Sequence, residues 1–264
     1  MNNPRRAAVA ALRRRIAAIE DGPARAWHGA APLTLGVPAI EAWLPGGGLA
    51  RGGLHEVLGP RRHSGHGSHG GGAALAFAAV LAARRTALAP SNPLGSLNPH
   101  GGGGAVLWCA PRRRFGAELY GPGLAAFGLD AERLILVRGR DDQQRLWAME
   151  EGLKCTGLAM VVGEVGRLDL GQSRRLQLAA EASGVTALLL HAKGDDAGSD
   201  AQGITGALTR WRITSRPSAP SHGYVGIGAA RCRVELLRCK GGRPGEWLLQ
   251  WNGAGFEDQR NGEQ

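Results

Sequence analysis

The fold is decided by residues 158–191, LAMVVGEVGRLDLGQSRRLQLAAEASGVTALLLH. The segments LAMVVGE (158–164) and TALLLH (186–191) are short and almost continuously apolar, and a longer amphipathic segment separates them. We predict a strand, a helix and a strand, with Asp169 as the N-cap of the helix and Gly184 as its stop. Strands that are apolar throughout are typical of a parallel sheet covered by helices on both faces.

The same alternation of strand and helix precedes this stretch. Three earlier apolar runs are predicted strands: LHEVLG (54–59), AVLWCA (105–110) and LILVRG (134–139). Two longer segments are predicted helices: AALAFAAVLAARR (73–85) and DDQQRLWAMEEGLK (141–154). Further on, TRWRITSR, CRVELLRCK and EWLLQW follow one another without intervening helices, which indicates antiparallel strands. We therefore predict an α/β fold whose mainly parallel central sheet is flanked by helices and carries antiparallel strands at its C-terminal edge.

Charge and hydropathy narrow the class of protein. The 264 residues include 32 Lys and Arg against 22 Asp and Glu, a formal net charge of +10, which favours an acidic or polyanionic partner. No apolar run approaches the roughly 20 residues that a membrane helix needs. Arginines interrupt the apolar pattern of the N-terminal segment, unlike that of a signal peptide. We expect a cytoplasmic, nucleoid-associated protein that does not bind a membrane.

The four cysteines form no C-x-x-C pair. We interpret Cys109, Cys155, Cys232 and Cys239 as reduced and mostly buried thiols, rather than as a metal site or a disulfide framework. On a regular strand, a spacing of seven residues would place Cys232 and Cys239 on opposite faces.

A glycine-rich segment between the first predicted strand and helix occupies the position of a phosphate-binding loop. The strand ends at Gly59, and a helix that begins at Ala73 puts Gly71, Gly72 and Ala73 where the motif has Gly, Lys and Ser or Thr. Gly72 then replaces the lysine and Ala73 the hydroxyl. The first 153 residues contain no lysine at all, so we predict neither a catalytic site nor a bound nucleotide cofactor.

An enzyme remains the alternative interpretation. A divergent DNA-dependent ATPase or recombinase would keep the layout of strand, glycine-rich loop and helix and use another cation in place of the lysine. Arg61 and Arg62, which follow the first strand, are the candidates for that cation.

Several segments carry a resemblance to known proteins. LPGGGLARGGLHEVLGP resembles the segment of RecA-type recombinases that leads into their phosphate-binding loop, and LAMVVGE ends with Glu164 near the place of their magnesium-binding Asp. Within that superfamily, RRRFGAELYGPGLAAFGLD, LWAMEEGL, GRLDLGQSRRLQLAAEASGVTALLL and VELLRCKGGRPGEWLLQW resemble the ImuA family, which is sometimes labelled SulA-like. The resemblance covers about residues 33–255.

The resemblance implies a RecA-like core without motor activity. Members of the ImuA family act beside ImuB, a Y-family polymerase relative, and an error-prone replicative polymerase in SOS-inducible translesion synthesis. By the same resemblance we expect an ImuB-like partner, with RecA, the polymerase and single-stranded DNA as further candidates. Glu164 has two interpretations, a former magnesium ligand or a strand-end carboxylate that caps a neighbour. The SulA-like label suggests inhibition of cell division as a weaker alternative.

The resemblance and the composition together suggest a domain organisation. We predict a basic N-terminal helix and linker at 1–32 and a RecA-like domain at 33–255. This domain would hold the degenerate phosphate loop at 59–73 and a flexible insert at 86–104. A tail follows at 256–264.

Basic side chains are concentrated on the last predicted hairpin. The candidates for nucleic-acid contact are Arg231, Arg233, Arg238, Lys240 and Arg243. By the period of two, Arg231 and Arg233 share one strand face, and Arg238 and Lys240 share one if the strand stays regular. Such a stripe either follows a phosphate backbone or is a solvated strand edge that charge protects against aggregation.

Two further clusters have a functional and a plain interpretation. Arg13, Arg14 and Arg15 lie on the predicted N-terminal helix, which either docks on another protein or is an ordinary basic surface helix. His63, His66 and His69 form H-x-x-H-x-x-H in the glycine-rich segment, which either binds Zn²⁺ or Ni²⁺ adventitiously or is a solvated, flexible loop. We interpret this segment as a solvated loop and predict no metal site, because its glycines oppose the helical geometry that would bring the imidazoles together.

Overall fold

The structure, a computed structural model, describes residues 31–60, 71–87, 104–112, 119–166, 168–191, 205–218 and 226–259. The helices are α1 (Pro38–Glu41), α2 (Gly71–Ala87), α3 (Gly121–Ala126), α4 (Asp142–Leu153) and α5 (Leu170–Ser183). The strands are β1 (Leu54–Leu58), β2 (Ala105–Pro111), β3 (Leu134–Gly139), β4 (Leu158–Glu164), β5 (Thr186–His191), β6 (Thr209–Arg216), β7 (Arg231–Cys239), β8 (Gly245–Trp251) and β9 (Phe256–Asp258).

All these strands join one nine-stranded sheet in the order β3-β2-β4-β5-β1-β6-β7-β8-β9. From β3 to β6 each neighbouring pair is parallel, and from β6 to β9 each pair is antiparallel. This confirms the predicted α/β fold with its antiparallel C-terminal edge. The parallel strands all end at one edge of the sheet, which we call the carboxyl edge; the opposite edge, where they begin, is the amino edge.

The sheet is covered unequally on its two faces. One face packs against α2 and α3 through a large core that includes Phe77, Trp108 and Trp211. The other face packs against α4 and α5 through a second core around Met149 and Leu189. Helices α4 and α5 pack on β1 to β5, and no described helix packs extensively on this second face where it continues across β6 to β9. We call that part of the sheet the outer face.

Local signals account for the ends of α5. Asp169 accepts a hydrogen bond from the Gln172 N–H at 2.7 Å, and the Gln172 side chain accepts one from the Asp169 N–H, which completes a capping box. Gly184 ends the helix in the left-handed conformation with φ of 75°. The N-cap and the stop that the sequence predicts are both confirmed.

A buried polar chain crosses the first core. Trp211 Nε1 donates to Thr209 Oγ1 at 2.8 Å, and this hydroxyl lies 2.7 Å from Nδ1 of His55. His55 Nε2 lies 2.9 Å from the Ala50 carbonyl oxygen, which can only accept. Nε2 therefore carries the proton, and Nδ1 accepts from Thr209. Burial lowers the pKa of His55 to about 4, so the ring is neutral in the folded protein.

The structure corrects the prediction for the two C-terminal cysteines. Trp211 pairs with Leu236 and Arg210 with Arg238, so Leu237 is an extra residue that forms a β-bulge. Because the bulge resets the alternation of side chains, Cys232 and Cys239 both lie on the core side of β7, not on opposite faces.

Two predicted boundaries also differ. Helix α2 begins at Gly71 and continues to Ala87, two residues beyond the predicted helix at each end and into the start of the proposed insert. Residues 256–258 of the predicted tail form β9, because Phe256 packs into the core against Phe77 and Trp251. Of the described helices, none is long and apolar enough to span a membrane.

Candidate functional site

The carboxyl edge is where the predicted phosphate loop begins. Gly59 follows β1, and its N–H donates to the carbonyl of His191 at the end of β5, 3.1 Å away. Glu164 ends β4, the strand on the other side of β5. In open α/β sheets, ligands bind at this edge of the parallel strands. The fold therefore places Gly59 and Glu164 where a ligand site is expected.

The first turn of α2 starts without the side chains that hold a triphosphate. By sequence, Gly72 and Ala73 align with the lysine and the hydroxyl of the motif, and a side chain at Gly72 would meet open space. The lysines within the described ranges, Lys154 after α4 and Lys240 after β7, both lie at the amino edge. Among the residues that the structure describes, no lysine from elsewhere in the chain fills the gap. Arg61 and Arg62 lie outside them.

Glu164 is buried, and at least one of its carboxylate oxygens is engaged inside the protein. Its Oε1 accepts a hydrogen bond from Trp108 Nε1 at 3.0 Å. Trp108 lies on β2, which neighbours β4 in the sheet. This geometry is that of the second interpretation of Glu164, a carboxylate at a strand end that caps a neighbouring group, here the indole N–H of Trp108. The sequence offered no signal for the partner, because only the strand order brings Trp108 beside Glu164.

A pocket of about 430 Å³ opens beside the start of α2. Gly72 and Ala73 form one wall, and the ends of β6 and β7, with one arginine of each strand, form another. Phe127, Trp251 and Phe256 make much of its surface apolar. This pocket can hold an apolar group beside the helix N-terminus.

The first two arginines of the predicted stripe lie together on the outer face. Arg231 and Arg233 alternate with the core residues of β7, as the period of two predicts. Arg233 is paired, since its Nη2 lies 2.6 Å from Glu246 and 3.5 Å from Glu235. Arg231 stands directly opposite Arg216 of β6, and its Nε is buried without a hydrogen-bond partner in the described part of the chain. Two like charges in such a cross-strand pair favour an anion between them.

The other three candidates do not continue that stripe, which corrects the prediction. Strand β7 ends at Cys239, so Lys240 lies in the following turn and does not share a strand face with Arg238. Arg238 donates from Nη1 to the carbonyl of Thr205 at 3.1 Å. The Arg243 guanidinium lies 3.8 Å from the centre of the Trp43 ring. The backbone carbonyl of Arg243 accepts a hydrogen bond from Trp43 Nε1 at 3.0 Å. These contacts tie Arg238 and Arg243 to the protein itself.

Sequence reasoning missed the arginines of β6 that share the outer face. Arg210, Arg212 and Arg216 pair across the sheet with Arg238, Glu235 and Arg231 respectively. The signal was present, because TRWRITSR places its arginines with a period of two. The Trp and Ile that alternate with these arginines indicated only a half-buried strand. The sequence does not reveal which face of that strand the helices leave uncovered.

Arg210 is held by a buried acid. Its Nε lies 2.6 Å from Oε2 of Glu56 on β1, and Glu56 is 2% exposed. Thr205 donates from Oγ1 to the other oxygen of Glu56 at 2.5 Å. The carboxylate therefore links Thr205, in the segment that leads into β6, to the central strand β1.

Some predicted residues lie outside the described part of the chain: Arg13, Arg14, Arg15, His63, His66 and His69. Within the described part, no group of three His, Cys, Asp or Glu side chains could hold a metal ion. The four cysteines are free.

The architecture defines the class of protein: an α/β protein whose nine-stranded sheet is parallel from β3 to β6 and antiparallel from β6 to β9. No family model matches the chain. It is 40% identical over 227 residues to Protein ImuA of Caulobacter vibrioides, strains NA1000 / CB15N and ATCC 19089 / CIP 103742 / CB 15, covering 84% of this chain and 84% of each relative. The chain belongs to the ImuA family.

Proposed function

We propose that this protein is a non-catalytic adaptor in SOS-inducible, error-prone translesion DNA synthesis. It recruits or organises an ImuB-type Y-family relative and an error-prone replicative polymerase, with RecA as a further candidate partner. The observation that carries the proposal is membership of the ImuA family. The start of α2 agrees with a non-catalytic role, because a helix that begins with Gly71, Gly72 and Ala73 offers no ammonium group to phosphates and no hydroxyl to a magnesium ion.

Co-purification tests the adaptor role. The full chain is expressed with an ImuB-like protein, and the complex is isolated through a tag on one partner at several salt concentrations. We expect a complex that survives at physiological salt and weakens as salt rises, because the chain carries a net charge of +10. Absence of binding at every salt concentration would contradict the proposal.

The alternative, a divergent ATPase, makes a different prediction. ATP hydrolysis is measured with and without single-stranded DNA. The adaptor proposal expects no turnover above that of buffer.

Turnover well above background that Glu164→Gln abolishes would establish the alternative. The glutamine keeps an oxygen that can accept from Trp108, so this variant removes the charge of Glu164 with little change in packing.

The outer face is the surface that we propose for single-stranded DNA. Arg216 and Arg231 stand opposite each other there, and neither makes an ion pair with a described residue. If both contact phosphates, the double variant Arg216→Gln/Arg231→Gln binds more weakly. The slope of log K against log salt then falls in magnitude by about 0.7 for each lost contact.

A matched variant separates this site from the overall charge. Arg133→Gln/Arg140→Gln removes the same charge near β3, at the far side of the sheet. We expect this variant to bind single-stranded DNA with an unchanged salt slope. Equal losses in the two double variants would show that the arginines act only through net charge.

A further inference from the structure

An arginine near the end of α2 is buried and has no counter-ion among the described residues. Arg85 is 5% exposed, and its Nε and Nη1 atoms have no hydrogen-bond partner in the described part of the chain. Arg51 lies in the turn that leads into β1, and its Nε is also buried without a hydrogen-bond partner among the described residues. No salt bridge between described residues involves either side chain.

The two arginines lie close enough to affect each other. Burial and the nearby charge of Arg51 together lower the pKa of Arg85 to about 10. The side chain therefore stays charged at neutral pH, although both effects oppose its charge. A buried guanidinium with unused N–H groups is costly unless an acceptor satisfies it.

This pair is separate from the candidate site at the carboxyl edge. Helix α2 starts at that edge and runs to the amino edge, so Arg85 lies at its far end. Arg51 also lies at the amino edge, because it follows the bridge between Leu33 and Leu49 and precedes β1. Neither arginine lines the pocket beside Gly72.

We propose that Arg51 and Arg85 form an anion site at the amino edge, which takes a carboxylate or a phosphate group. Guanidinium groups bind both groups through paired, charge-assisted N–H···O bonds. The ligand would satisfy the unused donors and remove the repulsion between the two cations. The proposal does not depend on the adaptor function, since it rests only on these two side chains. The group comes either from a free phosphate compound or from an acidic side chain of another protein.

Thermal unfolding of the full chain tests the site. Sodium phosphate replaces sodium chloride stepwise at constant pH and ionic strength, so that general screening does not change. We expect the melting temperature of the unsubstituted protein to rise by about 3 °C when phosphate reaches roughly ten times its dissociation constant. Arg85→Met and Arg51→Met should each abolish this rise.

The difference in melting temperature between Arg85→Met and the unsubstituted protein, measured without phosphate, is a second readout. Replacing an unsatisfied buried charge with a well-packed apolar side chain is neutral or stabilising. In chloride alone, Arg85→Met should therefore melt no lower than the unsubstituted protein. Arg174→Met, on the exposed surface of α5, is the matched control and should keep the full response to phosphate.

A parallel titration with a hexaglutamate peptide distinguishes the two sources of the anion. Stabilisation by the peptide at lower concentration than phosphate supports an acidic protein segment, and the reverse order supports a free phosphate compound. Three results would overturn the proposal. The first is a melting temperature that does not respond to either anion, and the second is an equal response in Arg85→Met, which would mark adventitious ion binding only. A large fall in the melting temperature of Arg85→Met in chloride would also overturn it, because the arginine would then already be satisfied within the chain.

Discussion

At the scale of single residues, the buried polar groups of this sheet divide into satisfied and unsatisfied ones. His55 and Glu56 are neighbours on β1 and point to opposite faces, and each has partners for its polar atoms. Arg85 has none among the described residues for two of its nitrogens. Polar groups buried with partners support a unique packing, whereas a group buried without partners indicates a ligand.

The pKa of His55 predicts how stability depends on pH. It is about 4 in the folded protein and 6.5 in the unfolded chain, so the unfolded chain binds more protons between these values. The contribution is fully present above pH 6.5 and is lost as the pH falls towards 4, about 3 kcal/mol in total. Urea unfolding at pH 7.5 and pH 5 measures it. His55→Gln should be less stable at pH 7.5 and should show a weaker dependence on pH; an unchanged dependence would assign it to other groups.

The charge of Glu56 is expected to matter more than that of an exposed acid. Removing one partner of a buried ion pair leaves the other uncompensated, so Glu56→Gln should lower the free energy of unfolding by about 3 kcal/mol. Glu246→Gln is the matched control, because Glu246 pairs with Arg233 at a side-chain exposure of 42%. Its cost should be below about 1 kcal/mol. Similar values from urea unfolding would contradict the assignment of Glu56 as a buried anchor.

At the scale of elements, the sequence predicted those helices and strands whose ends are marked by local signals such as capping residues and apolar runs. The capping residues Asp169 and Gly184 fixed the ends of α5, and continuous apolar runs predicted β4 and β5 without error. The β-bulge at Leu237 was not predictable, because it depends on how β7 pairs with β6. Strand β9 was missed since three residues carry too little pattern.

The candidate site was predictable only in part, because some of its contacts depend on which strands are neighbours in the sheet. The sequence placed Gly59 and Glu164 at strand ends, and parallel strands bring such ends together. The hydrogen bond from Trp108 to Glu164 and the arginine pair on the outer face depend on strand order. No local pattern contains that order.

The N-cap of α5 allows a direct test at this scale. Asp169→Ala removes the acceptor for the Gln172 N–H and should cost about 1 kcal/mol in the free energy of unfolding. Asp169→Asn keeps an acceptor oxygen and should cost less. Equal losses in urea unfolding would show that the charge of Asp169, not its hydrogen bond, supports the helix.

At the scale of the whole molecule, the cysteines report on the integrity of the sheet. Burial raises the pKa of Cys109 to about 12 and that of Cys232 to about 11, and the thiolate is the reactive form. Cys155 is exposed after α4. Cys239 is half-buried, and burial raises the pKa of its thiol as well. The folded protein should therefore show one fast thiol reaction with a disulfide reagent, that of Cys155.

The variant Cys155→Ser should lose that fast reaction and leave the slower ones unchanged. Urea should make the buried thiols of Cys109 and Cys232 reactive in the same transition that circular dichroism detects. Fast modification of either in the folded protein would contradict the single packed sheet.

The extra residue at Leu237 has a consequence for how this hairpin can change in length. Inserting or deleting one residue in a regular strand turns every later side chain to the other face. Deleting Leu237 would instead bring Leu236 and Arg238 into uninterrupted pairing with Trp211 and Arg210, and each would keep its present side. This position is thus one at which relatives of different length can share the same inner and outer surfaces.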